Sequence, residues 1–146
     1  MSHVKDLDVE VADLDAQEAE CEALGCKLIR GQASFRWYGN WVNDYSAVDA
    51  AMHRFNPADF GRCEHAIVVP GAQYDVGVCR DKAGKLRLIY DAWQQGYGIE
   101  AHLGAGATKL AMGYTERVAR REMAKKGWRI FRTVLKTGEI QLRCVR

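Results

Sequence analysis

No run of apolar residues in this sequence approaches the roughly eighteen that a membrane-spanning helix needs. Proline is scarce, with two in 146 residues, and no segment is of low complexity. That composition excludes a long disordered linker or tail and fits one globular domain over residues 1–146. The opening stretch "MSHVKDLDVE" lacks the apolar core of a secretory signal, so a cytoplasmic protein is expected. The Cys-x2-Cys knuckle of structural zinc sites is absent as well. The five cysteines (Cys21, Cys26, Cys63, Cys79 and Cys144) are odd in number and irregularly spaced, which argues for reduced, mostly buried thiols. No cofactor or metal is expected from these patterns.

Net charge is small, at +2, but unevenly spread. Residues 1–31 hold eight acids and three bases, whereas residues 109–146 hold eleven bases and three acids. A chain with one acidic and one basic end invites an acidic partner, either protein or nucleic acid. It also permits a homo-oligomer in which the two ends of neighbouring copies meet.

Hydrophobic periodicity predicts the elements. "VKDLDVEV" alternates, with Leu7, Val9 and Val11 on one side, and reads as a half-buried strand. Asp13 caps a helix over 14–24, and Gly25 stands where a left-handed C-terminal residue belongs. "CKLIRG" and "ASFRWYG" read as the next two strands. Ala47–Arg54 could form two helical turns before Pro57. Residues 65–93 read as an antiparallel meander, and "QQGYGIEAHLGAG" as a glycine-rich loop. The longest helix is predicted over 108–126, and a hairpin turning at Lys136-Thr137-Gly138 closes the chain. The expectation is an α+β fold: a mainly antiparallel sheet with two longer helices packed on one face.

Three patterns suggest chemistry. Cys63-x-His65 on an extended strand would place both side chains on one face, with Cys79 on the neighbouring strand. The three converge only in one register, and the alternative to a small enzyme at His65/Cys79 is plain packing. "HLGAGATK" has glycines before a helix and a lysine, yet lacks both the P-loop core and the third glycine of a dinucleotide fingerprint. What survives is a helix start that could hold an anion, or a simple connector. The third pattern is basic. Arg117, Arg121 and Lys125 recur every four residues and form one row, with Arg120, Lys126, Arg129 and Arg132 nearby. Capping of the helix dipole accounts for some of these cations. The remainder make either a solvated face or a contact for an acidic partner.

"FRWYGNWVNDY" puts five aromatic rings and an arginine into eleven residues. Alternation places Phe35 and Trp37 on one face, as candidate core, and Arg36 and Tyr38 on the other. Trp41 and Tyr45 lie beyond the Gly39-Asn40 turn. Arg36, Tyr38, Trp41 and Tyr45 are therefore the candidate aromatic surface, and Arg117, Arg121, Lys125 and Arg129 the candidate basic one. Trp41 is expected to be accessible and Trp128 largely buried.

The order and wording of "DLDA…EALGC", "WYGNWVNDY", "DFGRCEHAIVVPG", "YDVGV" and "LIYDAW", followed by a basic helix and a hairpin, resemble the uncharacterised hypothetical chloroplast open reading frame 35 family of plastids, cyanobacteria and phages. The resemblance runs nearly the whole length, and Asp59–Gly71 is its most specific part. "QQGYG" is poorer in glycine than the family's loop. The resemblance implies a small cytoplasmic accessory protein, host-directed in phages, with no catalytic or cofactor residues to carry over. The reading is a non-enzymatic binding protein that engages a protein or acidic ligand. A nucleic-acid-binding domain and a small enzyme are the alternatives.

Overall fold

The computed structural model describes residues 4–38, 54–55 and 59–146. Val4–Glu10 forms β1, and Leu14–Ala23 forms α1. Then follow β2 (Lys27–Arg30), β3 (His65–Val68), β4 (Asp75–Arg80) and β5 (Leu86–Asp91). A short helix α2 (Ile99–Leu103) precedes the long α3 (Thr108–Lys125), and β6 (Arg129–Val134) and β7 (Ile140–Val145) end the chain. The fold is α+β, as its periodicities predict.

The five strands β1-β5-β4-β3-β2 form one antiparallel sheet, and β6-β7 form a separate two-stranded one. Hairpin connections suffice from β2's neighbour β3 through β5, which is why the order along the sheet follows the chain there. β1 closes the sheet against β5, and its register slips between Asp6 and Glu10. Val4 is buried on one face of the sheet, and Leu7 and Val11 on the other.

The larger core lies between the sheet and the helices. It joins Leu7, Val11, Ile67, Val76, Val78 and Leu88 to Ala16 and Cys21 of α1 and to Leu110 and Tyr114 of α3. α1 and α3 pack against each other. The Tyr114 hydroxyl fixes their relative position, accepting from the amides of Ala12 (2.9 Å) and Asp13 (3.0 Å) just before α1. Asp13 caps α1 by accepting from Ala16 N at 3.0 Å. Gly25 then takes φ +75°, the left-handed residue that the sequence assigns to it.

The smaller core covers the opposite face: Phe35 and Phe55 pack on Ala66, Cys79 and Ile89, with Trp37 and Phe60 half-buried beside them. Gly77 makes room for this layer, since a Cβ there would meet the Phe35 ring at 2.6 Å. With both faces covered, β4 is buried nearly throughout and does not alternate.

Three expectations need correction. "ASFRWYG" is not a strand; it makes only an isolated bridge between Ser34 and Arg62. Its job is to lay Phe35 and Trp37 over the sheet face, which favours a bent path over a straight one. The segment after β5 is more than a loop, because α2 lies within it and buries Ile99 and Leu103. Trp128 is half-buried rather than largely buried, with the Arg146 guanidinium 5.8 Å from its ring centre. The helical turns read over Ala47–Arg54 lie almost wholly outside the described residues.

Candidate binding surface

The predicted basic row turns out to be a seam. Arg117 Nε donates to Glu20 Oε2 at 2.7 Å, and Arg121 to Asp13 Oδ2 at 3.0 Å, so two of its three cations grip the acidic helix α1. Lys125 pairs within its own helix, with Glu122 at 3.2 Å. The acidic N-terminal segment and the basic helix, opposite in charge along the sequence, thus neutralise each other within one chain. Glu116 carries a second junction. It accepts from Arg120 of α3 (2.9 Å) and from Arg132 of β6 (3.1 Å), tying the hairpin to the helix.

A group of cations without carboxylate partners lies at the end of the chain. Lys126, Arg129, Lys136, Arg143 and Arg146 are exposed, and none has a carboxylate partner among the described residues. Of the four candidate contact residues Arg117, Arg121, Lys125 and Arg129, only Arg129 belongs to this group. The hairpin also exposes Phe131 (47%), Val134 (59%), Leu135 and Val145. Phe131 and Arg143 face each other across the strands, with the guanidinium carbon 5.6 Å from the ring centre. Alternation in the sequence aligns Ile140, Leu142 and Cys144 along one side of the hairpin. The same alternation places Arg129 and Phe131 together on the other side, opposite Arg143 and Val145.

The hairpin does not lie flush on the body. A cleft of about 660 Å³ runs beside β6, between Leu24 at the end of α1, Met112 of α3, and Arg132 and Val134. A second, of about 320 Å³, runs beside β7 and is lined by Val9, Ala111, Met112, Thr115, Glu116, Ile140 and Leu142.

In the aromatic surface, Arg36 is committed to the fold. It makes a two-pronged ion pair with Asp75, whose carboxylate is 2% exposed, at 2.8 to 3.1 Å, and the Arg36 amide donates to the same carboxylate. That hydrogen bonding raises the Arg36 guanidinium pKa further. Tyr38 is exposed (44%), and its amide donates to the buried Asp91 at 3.2 Å. Tyr74 and Tyr97 stack edge to face at 5.0 Å. Burial first, and then the charges of Asp91 and the neighbouring phenols, push the Tyr74 pKa up. Trp41 and Tyr45 lie outside the described residues.

The thiol and imidazole trio separates. His65 pairs with Val78, so alternation turns it to the helix side with Val78, while Cys79 faces the smaller core together with Cys63. Cys63 precedes β3 and does not follow its alternation, which corrects the expected Cys63–His65 face. Both thiols donate to carbonyls, Cys63 to Gln32 O and Cys79 to Arg62 O. Burial pushes Cys63 up to about 11 and Cys79 higher still, so neither is a thiolate near neutral pH. His65 Nδ1 accepts from Gly31 N at 3.0 Å. Among the described residues, no three His, Cys, Asp or Glu side chains come together as a metal site. The glycine loop before α3 is also occupied from within, since Gly106 N donates to the Glu100 carboxylate.

No family model, curated protein or solved structure matches the chain. Among the described residues, no helix is long and apolar enough to cross a membrane. The geometry leaves a basic surface rich in ion pairs, an aromatic cluster, and an exposed hairpin that carries both cationic and apolar side chains.

Proposed function

We propose that this chain is a binding protein whose contact surface is the β6–β7 hairpin, and that its partner is an acidic protein. One observation carries the reading. Of the nine lysines and arginines with no ion pair among the described residues, five lie on or beside the same hairpin that exposes Phe131, Val134, Leu135 and Val145. Apolar side chains interleaved with arginines suit a protein surface, where aromatic and arginine anchors supply most binding energy. A phosphate backbone would use the cations alone. The likeness of "DFGRCEHAIVVPG" to the chloroplast open reading frame family supports an accessory, host-directed role and brings no activity with it.

The test is affinity capture from cell extract with the tagged protein, with and without nuclease, beside the variant Arg129→Glu/Arg143→Glu/Arg146→Glu. The expected outcome is a nuclease-resistant protein partner that the variant loses. Capture that disappears with nuclease would hand the surface to nucleic acid, with Phe131 as a base-stacking residue. A variant that captures the same partner as fully as the parent would remove the hairpin from the reading.

A further inference from the structure

The backbone of β7 holds a second piece of information. Leu135 N donates to Glu139 O at 2.8 Å across the turn, which fixes the hydrogen-bonding phase of the hairpin. Pairs Thr133–Gln141, Phe131–Arg143 and Arg129–Val145 are then the ones that exchange bonds. Ile130, Arg132 and Val134 turn their amides and carbonyls outward on the β6 edge, and Ile140, Leu142 and Cys144 do so on the β7 edge. The β6 edge is partly closed, because Arg120 of α3 donates to Ile130 O at 3.0 Å. The β7 edge has no hydrogen-bond partner among the described residues.

An isolated two-stranded hairpin is marginal in water and gains stability from a third strand. The recess of about 320 Å³ lies on the β7 side; Val9, Ala111 and Met112 give it an apolar floor, and its one carboxylate, Glu116, is paired with Arg120 and Arg132. A strand laid along β7 would direct alternate side chains into it. Its other side chains would lie on the outer face, beside Arg143. From Trp128 to Arg146 there are five bases and one acid, Glu139. A second copy's hairpin would therefore set like charges side by side, which is unfavourable across strands. The chain's own alternating acidic strand, β1, is already paired with β5.

We propose that the open edge of β7 is a strand-addition site for an extended segment of the acidic protein partner, one that alternates apolar and acidic side chains. The proposal rests on the acidic-partner reading above and adds the mode of recognition: main-chain hydrogen bonds give register, and the recess and Arg143 select side chains.

The probe is the peptide acetyl-Glu-Val-Asp-Val-Glu-Val-Asp-amide, added to the isotope-labelled full-length chain. A scrambled peptide of the same composition, with its valines contiguous, and a peptide N-methylated at its edge-facing amides serve as comparisons. The expected result is amide shifts centred on Ile140, Leu142 and Cys144, slowed hydrogen exchange at those three amides, and affinity about tenfold or more below the parent for both comparison peptides. Leu142→Pro, which removes one outward N–H and no ladder bond, should abolish the shifts. If that variant does not fold, the N-methylated peptide makes the same test from the ligand side. Equal binding of the scrambled peptide would overturn strand addition and leave the acidic-partner reading standing. So would partner capture that persists while no peptide binds. Slow exchange at the three amides in a free protein that sediments as a dimer would overturn the proposal in favour of a second copy.

Discussion

Arg117 of α3 donates to Glu20 of α1 at 2.7 Å, joining residues 97 positions apart in the sequence. Glu20 is largely shielded, and Gly113 lies against it so closely that a Cβ there would collide with its carboxylate. The pair therefore belongs to the interface between the two helices. The row of cations predicted as a contact surface consequently grades from interface to solvent along α3. Arg117→Ala should cost about 1 kcal/mol and Arg121→Ala about half as much, whereas Lys125→Ala should be near neutral. Urea midpoints of the three variants check this order. Equal effects at all three positions would contradict it.

The cap at Asp13 makes part of the stability depend on pH. Its carboxylate pKa is lowered, chiefly by the hydrogen bond from Ala16 N and further by Arg121. A folded-state pKa below the unfolded one stabilises at pH above the unfolded value, near 3.9, and that contribution is lost as pH falls through the folded value. Asp13→Asn keeps an N-cap and loses this acid-limb dependence. Asp13→Ala should cost about 1 kcal/mol at neutral pH. Melting temperatures of the three proteins between neutral and strongly acidic pH separate the two effects.

Asp75 gives Arg36 a role that its neighbours in "FRWYGNWVNDY" do not suggest. Removing the guanidinium leaves a carboxylate buried in the sheet with only an amide to hold it. Arg36→Ala should cost on the order of 2 kcal/mol, below the range for fully buried pairs because the guanidinium is half in water. Asp75→Asn in the Arg36→Ala background should recover part of the loss, because the residual charge is then gone. A double-mutant cycle by chemical denaturation reads the coupling, and simple additivity would mean that the pair is not a unit.

Thiol reactivity should follow burial rather than sequence neighbourhood. Cys144 is exposed, whereas burial pushes Cys21 up to about 12 and Cys63 to about 11. Iodoacetamide at neutral pH should modify Cys144 first, with Cys21 and Cys79 reacting only on unfolding. Mass mapping of early adducts decides it, and rapid labelling of Cys79 would reopen the nucleophile reading.

The regular elements were legible because their signals are local. Alternation marks β1 and the hairpin, Asp13 and Gly25 bracket α1, and the stripe Leu110, Tyr114 and Val118 marks the buried side of α3. What was not legible depends on distant partners. The spacing of Arg117 and Arg121 shows that they share a row, but nothing nearby shows that Glu20 and Asp13 meet them there. Phe35 and Trp37 alternate as a strand would, yet they are drawn across the sheet by Gly77 and Gly61, which leave space for their rings. α2 escaped notice because its five residues are too few to show a helical period and sit between glycines.

The two basic groups should come apart under mutation. Arg117 and Arg121 hold α1 to α3, so reversing both sets two anions against Glu20 and Asp13 and should lower stability by about 2 kcal/mol or more. Arg129 and Arg143 project from the outer face of the hairpin, and among the described residues Arg143 makes no ion pair and lies over the Phe131 ring. Reversing those two should change stability by no more than about 1 kcal/mol. Binding should show the opposite order. The Arg129→Glu/Arg143→Glu protein, still folded, should lose the partner. The Arg117→Glu/Arg121→Glu protein, assayed well below its own melting temperature, should keep it. Salt sharpens the comparison, because screening weakens the exposed contacts at the hairpin more than the shielded pair at Glu20. Partner affinity should therefore fall as ionic strength rises in the parent and, to the same degree, in the Arg117→Glu/Arg121→Glu protein. A helix-row variant that folds normally and loses the partner would return the contact surface to α3.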